Sequence, residues 1–145
     1  MRYIRNLFKA SGTDEENTQK CFDWMLVNLL NSRGYFNIDD FVDIPPDFYD
    51  RRIKYLHDLG TWGIYRNCEI DTEKRTFTFW SEEYAPLELF KKIAKILEPG
   101  MRIECEFDQY RDDYEEDFDH LTFNRCTLTP DEGMSTPEEF VCVRL

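Results

Sequence analysis

Basic residues are scarce in this chain. Lysine and arginine number 18 against 30 Asp and Glu in 145 residues, which leaves a formal charge of −12. Nucleic acid and anionic lipid both demand cationic surface, so direct binding to either, or to a membrane, is not expected. Glycine is sparse as well: the six glycines stand singly, so no Gly-rich loop is present to cradle a phosphate. There are two histidines, His57 and His120, and neither belongs to a triad or a ligand motif. The five cysteines (Cys21, Cys68, Cys105, Cys126 and Cys142) are odd in number and include no C-x-x-C pair. That argues against a secreted disulfide framework and against a zinc site, and favours reduced thiols packed as small hydrophobes. The opening "MRYIRNLFKASG" has no apolar run of signal length, and no segment approaches the ~20 residues of a membrane span. A reducing cytoplasm is the expected compartment.

What is present is enough to fold. Apolar residues make up 41 % of the chain and aromatics 16 %, including twelve Phe, eight Tyr and three Trp. Chains too polar to fold lack that content. No repeat or linker divides the sequence, so residues 1–145 read as one domain, with a core over about 3–110, an acidic loop at 108–119 and C-terminal strands over 120–145.

The elements follow from periodicity. "YIRNLFK" reads as a short strand. Thr13 to Glu16 match a capping box, and Phe22, Met25, Leu26, Leu29 and Leu30 then repeat at helical spacing to about Asn31. Pro45 and Pro46 make the next stretch extended, and "DRRIKYLHDLG" forms a short helix ending near Gly60. "TWGIYRNCEI" is strand-like and "DTEK" a turn. In "RTFTFW", Thr76 and Thr78 alternate with Phe77 and Phe79 as in a strand. Pro86 opens a second helix whose core stripe is Leu87, Phe90, Ile93, Ala94 and Leu97, stopped by Pro99 and Gly100. In "MRIECEF", Met101, Ile103, Cys105 and Phe107 face one way and Arg102, Glu104 and Glu106 the other. "HLTFNRCTL" and "FVCVRL" close the chain as strands. The order predicts an α+β protein: a ferredoxin-like antiparallel sheet with two helices on one face and an appended C-terminal β extension.

Four segments resemble one family. "YIRNLF…SGTDEE", with Asn6, Gly12, Glu15 and Glu16, resembles the start of the YubB-type ferredoxin-like proteins of phages and plasmids. "FNIDDFVDIPPDF" is similar to that family's F-N-x-I-I-P-M-P segment at Phe36 and Pro45. "TWGIYRN" is similar to its N-W-G-T-K-W-N, retaining Trp62, Gly63 and Asn67 but departing at Thr61, Ile64, Tyr65 and Arg66. The stretch from Trp80 and Ser81 to Pro86 is similar to its T-A-W-S-P-P junction, with Glu82, Glu83 and Tyr84 inserted. The resemblance spans roughly residues 3–110 and implies the fold and a mobile-element origin. It implies no activity, because none is assigned to the family.

The most unusual stretch is "ECEFDQYRDDYEEDFD", residues 104–119, where nine carboxylates face a single base, Arg111. It holds about two thirds of the net charge. An EF-hand beginning at Asp108 fails at Tyr110 and Asp113, and one beginning at Asp112 fails at Tyr114 and Asp117, so no metal and no cofactor are expected. A run this dense reads as solvated rather than as a catalytic acid–base pair. Its aromatics are the informative part: Asp108, Asp112, Asp113, Glu115, Glu116, Asp117 and Asp119 are interleaved with Tyr110, Tyr114 and Phe118. Aromatic anchors within a charged rim are what protein interfaces use, against the plainer reading of a solvated hairpin tip. Trp62 and Trp80 are candidate pocket residues, against the plainer reading that both pack between helices and sheet.

With no catalytic signature, a non-enzymatic protein is expected. Its partner would be a basic host protein, such as a nucleic-acid-binding defence complex, for which the acidic loop would act as a nucleic-acid mimic in an anti-defence, anti-CRISPR-like inhibitor. The alternatives are a structural or self-associating module, a homodimer through sheet edges, and a small-molecule or metal-dependent enzyme around Trp62, Trp80 and the carboxylates.

Overall fold

A computed structural model describes residues 3–30, 68–82, 85–108 and 120–143. In chain order the elements are β1 (Tyr3–Gly12), α1 (Glu15–Asn28), β2 (Glu69–Asp71), β3 (Thr76–Glu82), α2 (Leu87–Ile96), β4 (Met101–Asp108), β5 (His120–Thr129), β6 (Gly133–Met134) and β7 (Glu138–Val143). The fold is α+β: two helices among the described residues, and one antiparallel sheet of seven strands in the order β2-β3-β1-β4-β5-β6, with β7 also paired to β5. Because β3 and β4 both run antiparallel to β1, α2 joins two parallel strands that flank β1. The expected helix at residues 50–60 lies outside the described residues.

Alternation decides which side of the sheet is dry. Ile4, Asn6, Phe8 and Ala10 of β1 are buried, as are Phe77, Phe79 and Ser81 of β3, and Met101, Ile103, Cys105 and Phe107 of β4. β5 adds Cys126 and Leu128 to the same inner face. Both helices cover that face. α1 contributes Cys21, Phe22 and Met25, and α2 contributes Leu89, Phe90, Ile93 and Ala94, all to one continuous core. Phe8 lies at its centre, edge-on to Phe79 at 5.2 Å and to Phe90 at 5.0 Å between ring centroids, and Phe90 in turn meets Phe107 at 6.0 Å. Edge-to-face aromatic pairs of this kind add about 0.5–1.5 kcal/mol beyond their burial.

Helix ends depart from the sequence expectation in small, explicable ways. Asp14, not Thr13, caps α1: its carboxylate accepts the Asn17 amide at 2.8 Å. Asp caps as well as Ser or Thr, and the one-residue shift frees Glu16 to pair with Lys20 at 3.2 Å. Thr13 instead accepts a hydrogen bond from the Asn17 side chain. The helix ends at Asn28, with Leu29 as its cap, short of the expected Asn31. In α2 the stripe includes Leu89, and Leu87 is only partly buried.

The junction of β1 and α1 is the tightest place in the fold. Arg75, in the left-handed region at φ 54, accepts the Ala10 amide at 3.0 Å and pairs with Glu15, whose carboxyl it holds below its ordinary range. A Cβ on Gly12 would lie 2.7 Å from the Thr18 nitrogen and 2.8 Å from the Asn17 carbonyl carbon, so the strand can abut the helix backbone only without a side chain. Gly12→Ala therefore forces strand and helix apart. It should destabilise the protein by about 1–3 kcal/mol, the usual cost of overpacking, read as a lower urea midpoint with an unchanged slope.

Candidate functional site

The structure locates one end of the acidic run. Asp108 is the exposed last residue of β4, opposite Phe123 of β5, with its carboxylate 3.4 Å from the Arg5 amide nitrogen. Tyr110, Asp112, Asp113, Tyr114, Glu115, Glu116, Asp117, Phe118 and Asp119 lie outside the described residues, as does Trp62. The strands before and after residues 109–119 are adjacent and antiparallel, so both ends of the acidic segment are held at one end of the sheet.

From Asp108 the outer face of the sheet, opposite the helices, can be read across the register. One row runs Trp80, Arg5, Asp108, Phe123, Phe140, and the next runs Thr78, Leu7, Glu106, Arg125, Glu138. Arg125 is the organising residue. Its guanidinium lies 4.0 Å from the Phe140 ring centroid and 5.1 Å from that of Phe123, and its Nε donates to Glu106 at 3.1 Å. Arg102 likewise donates to Glu104 at 2.7 Å. The two bases of β4 and β5 on this face are thus each matched by a carboxylate, while Asp108 and Glu138 add negative charge beside them. Phe140 is 40 % exposed. The period-2 alternation already placed Phe123 and Arg125 on one face; that Phe140 would join them required the β5–β7 register.

Trp80 lies on the outer face, partly buried, on the side opposite the two described helices. Ser81, its neighbour along the strand, points the other way. Ser81 is fully buried on the inner face, where its hydroxyl accepts from the Asn6 side-chain amide at 2.9 Å. The same amide donates to the Ile4 carbonyl at 3.1 Å, whereas Asn6 Oδ1 is buried without a hydrogen-bond partner. Asn6 entered the sequence reading only through a family resemblance. Nothing in the strand pattern marked it as a buried polar residue at an otherwise apolar position.

The remaining chemistry-bearing groups are thiols. Cys21, Cys105 and Cys126 are buried and Cys68 is partly so, all unbridged, as expected of packed thiols. Cys21 donates to the Arg102 carbonyl at 3.3 Å, and burial pushes its pKa up, which makes it unreactive. Among the described residues no three His, Cys, Asp or Glu side chains converge as metal ligands would, and no helix is long and apolar enough to cross a membrane. No family model, curated protein or solved structure matches this chain.

The polar pair inside the core has a measurable consequence. Ser81→Ala removes one acceptor of the Asn6 amide, which keeps the Ile4 carbonyl, and should cost about 0.5–1.5 kcal/mol in thermal or urea unfolding.

Proposed function

We propose that this is a non-enzymatic protein that binds a basic, nucleic-acid-handling host protein through the segment 108–119 and competes there with nucleic acid. The observation that carries the reading is the placement of Asp108. The acidic segment leaves and re-enters the sheet on neighbouring strands, beside an outer face where Trp80, Phe123 and Phe140 sit among carboxylates. Clustered carboxylates can stand in for phosphates in a cationic groove, and the aromatics interleaved with them in the sequence supply anchoring area. A chain of net charge −12 is also attracted to such a partner at long range.

The ferredoxin-like plan belongs to this proposal. What supports it is the strand order β2-β3-β1-β4, with α1 following β1 and α2 joining β3 to β4. A YubB-type, mobile-element origin is proposed on the four sequence segments alone, and the anti-defence role rests on that origin together with the charge. Self-association is the second reading, favoured by β7, whose far edge pairs with no other described strand.

Charge reversal separates the two. A tagged protein and a variant carrying Asp112→Lys, Asp113→Lys, Glu115→Lys and Glu116→Lys are compared on a purified basic partner, at low and high salt and with added DNA or RNA. Loss of steering should slow association of the variant on the order of 10- to 1,000-fold, and salt or nucleic acid should displace the wild type. Equal binding by both forms would sink the electrostatic account. A salt-insensitive dimer in light scattering would support the second reading instead.

A further inference from the structure

The inner face contains a pair of thiols to which neither the core nor the proposed function assigns a task. The β4–β5 register sets Cys105 directly opposite Cys126, and both point to the dry side of the sheet at 1 % and 4 % exposure. The two thiols face each other across the register and are unbridged. Directly opposed residues of antiparallel strands have Cα atoms about 4.5 or 5.5 Å apart, and disulfides span about 4.4–6.8 Å. The Cβ atoms of such pairs stand about 4.5–5.5 Å apart where a disulfide prefers roughly 3.5–4.5 Å, so closure draws the strands together and gives a strained, readily reduced bond.

A second observation concerns the strand ladder. β5 exchanges partners on its far edge at this point: β7 pairs with it as far as Arg125, and β6 takes over at Leu128. Cys126 has no register partner on that edge, and at Thr127 the gap is bridged by Ser135, whose hydroxyl accepts the Thr127 amide at 2.8 Å. The strand ladder on that edge is therefore interrupted at Cys126, with Ser135 holding Thr127 by both its hydroxyl and its amide.

We propose that Cys105 and Cys126 form a two-electron redox site, closed to a cross-strand disulfide by a hydroperoxide such as hydrogen peroxide. Cys126 attacks the peroxide: an O–O bond breaks, an S–O bond forms, and one water leaves. The Cys105 sulfur then attacks the Cys126 sulfenic acid, the S–S bond forms, the S–O bond breaks and a second water leaves. Two thiols are oxidised and one peroxide is reduced to two waters. The division of labour follows from the environment. Burial above all, with Cys126 beside it, raises the pKa of Cys105 and keeps it protonated, while the neighbouring Cys105 thiol lowers the pKa of Cys126 and favours its thiolate, the attacking form. The closed bond would tie together the strands leading into and out of residues 109–119, three residues before the end of β4 and six after the start of β5.

The test uses the full chain, reduced, desalted and treated with hydrogen peroxide, then alkylated and mapped by peptide mass spectrometry. The expected product is one linked peptide pair containing Cys105 and Cys126, lighter by two hydrogens and restored by reductant. Its rate of formation should rise with pH and level off below the pH at which an ordinary thiol ionises. Cys126→Ser and Cys105→Ser should each abolish the link, and Cys105→Ser should accumulate a sulfenic acid at Cys126 that a dimedone probe traps. If either variant fails to fold, the wild-type map decides alone. Separate oxidation of the two thiols, linkage to Cys21, Cys68 or Cys142, or no linkage in excess peroxide would overturn the proposal.

Discussion

Everything described in this fold depends on β1 being hydrogen-bonded along both edges while burying one side. Its ten residues pair with β3 over Tyr3–Lys9 and with β4 over Asn6–Gly12, so its alternation is imposed on both neighbours. Phe8 inward means Phe77 and Cys105 inward, and through Cys105 it means Cys126 inward. A slip of one residue would carry Phe8 to the solvent side and Lys9 into the core, which is why the register admits no neighbour. Gly12 terminates the same strand where the backbone of α1 comes closest, so the pairing and the helix position are one constraint.

The two sides of the sheet consequently do different work. The inner side is aromatic and aliphatic, closed by the two described helices; within it the Asn6 amide bonds Ser81 while Asn6 Oδ1 has no partner, and two thiols lie face to face. The outer side is mixed: Arg125 stacks on Phe123 and Phe140 while bonding Glu106, and such exposed pairs contribute little to stability, roughly 0–1 kcal/mol each. Their importance is to shape a surface continuous with Asp108.

How far this could be read beforehand differs from element to element. β4 was legible residue by residue, because Met101 to Phe107 alternate apolar and charged without exception. α2 was legible as a stripe bounded by Pro86 and Gly100. The start of α1 was misplaced by one residue because Thr13 and Asp14 are both competent caps, and only the geometry chooses between them. Trp80 faces outward, as the alternation with Phe77 and Phe79 requires.

The sequence by itself determined the class of the protein: its acidity, its α+β element order, its reduced cysteines and the concentration of carboxylates after β4. These are local or compositional properties, visible in periods of two and 3.6 residues and in counts of charge. Tertiary structure alone decided who faces whom. The pairing of Cys105 with Cys126, the stacking of Arg125 on Phe140, and the placing of Asn6 against Ser81 all join residues that are distant in the chain. Register is set by the summed packing of a whole face, and no single residue carries that sum.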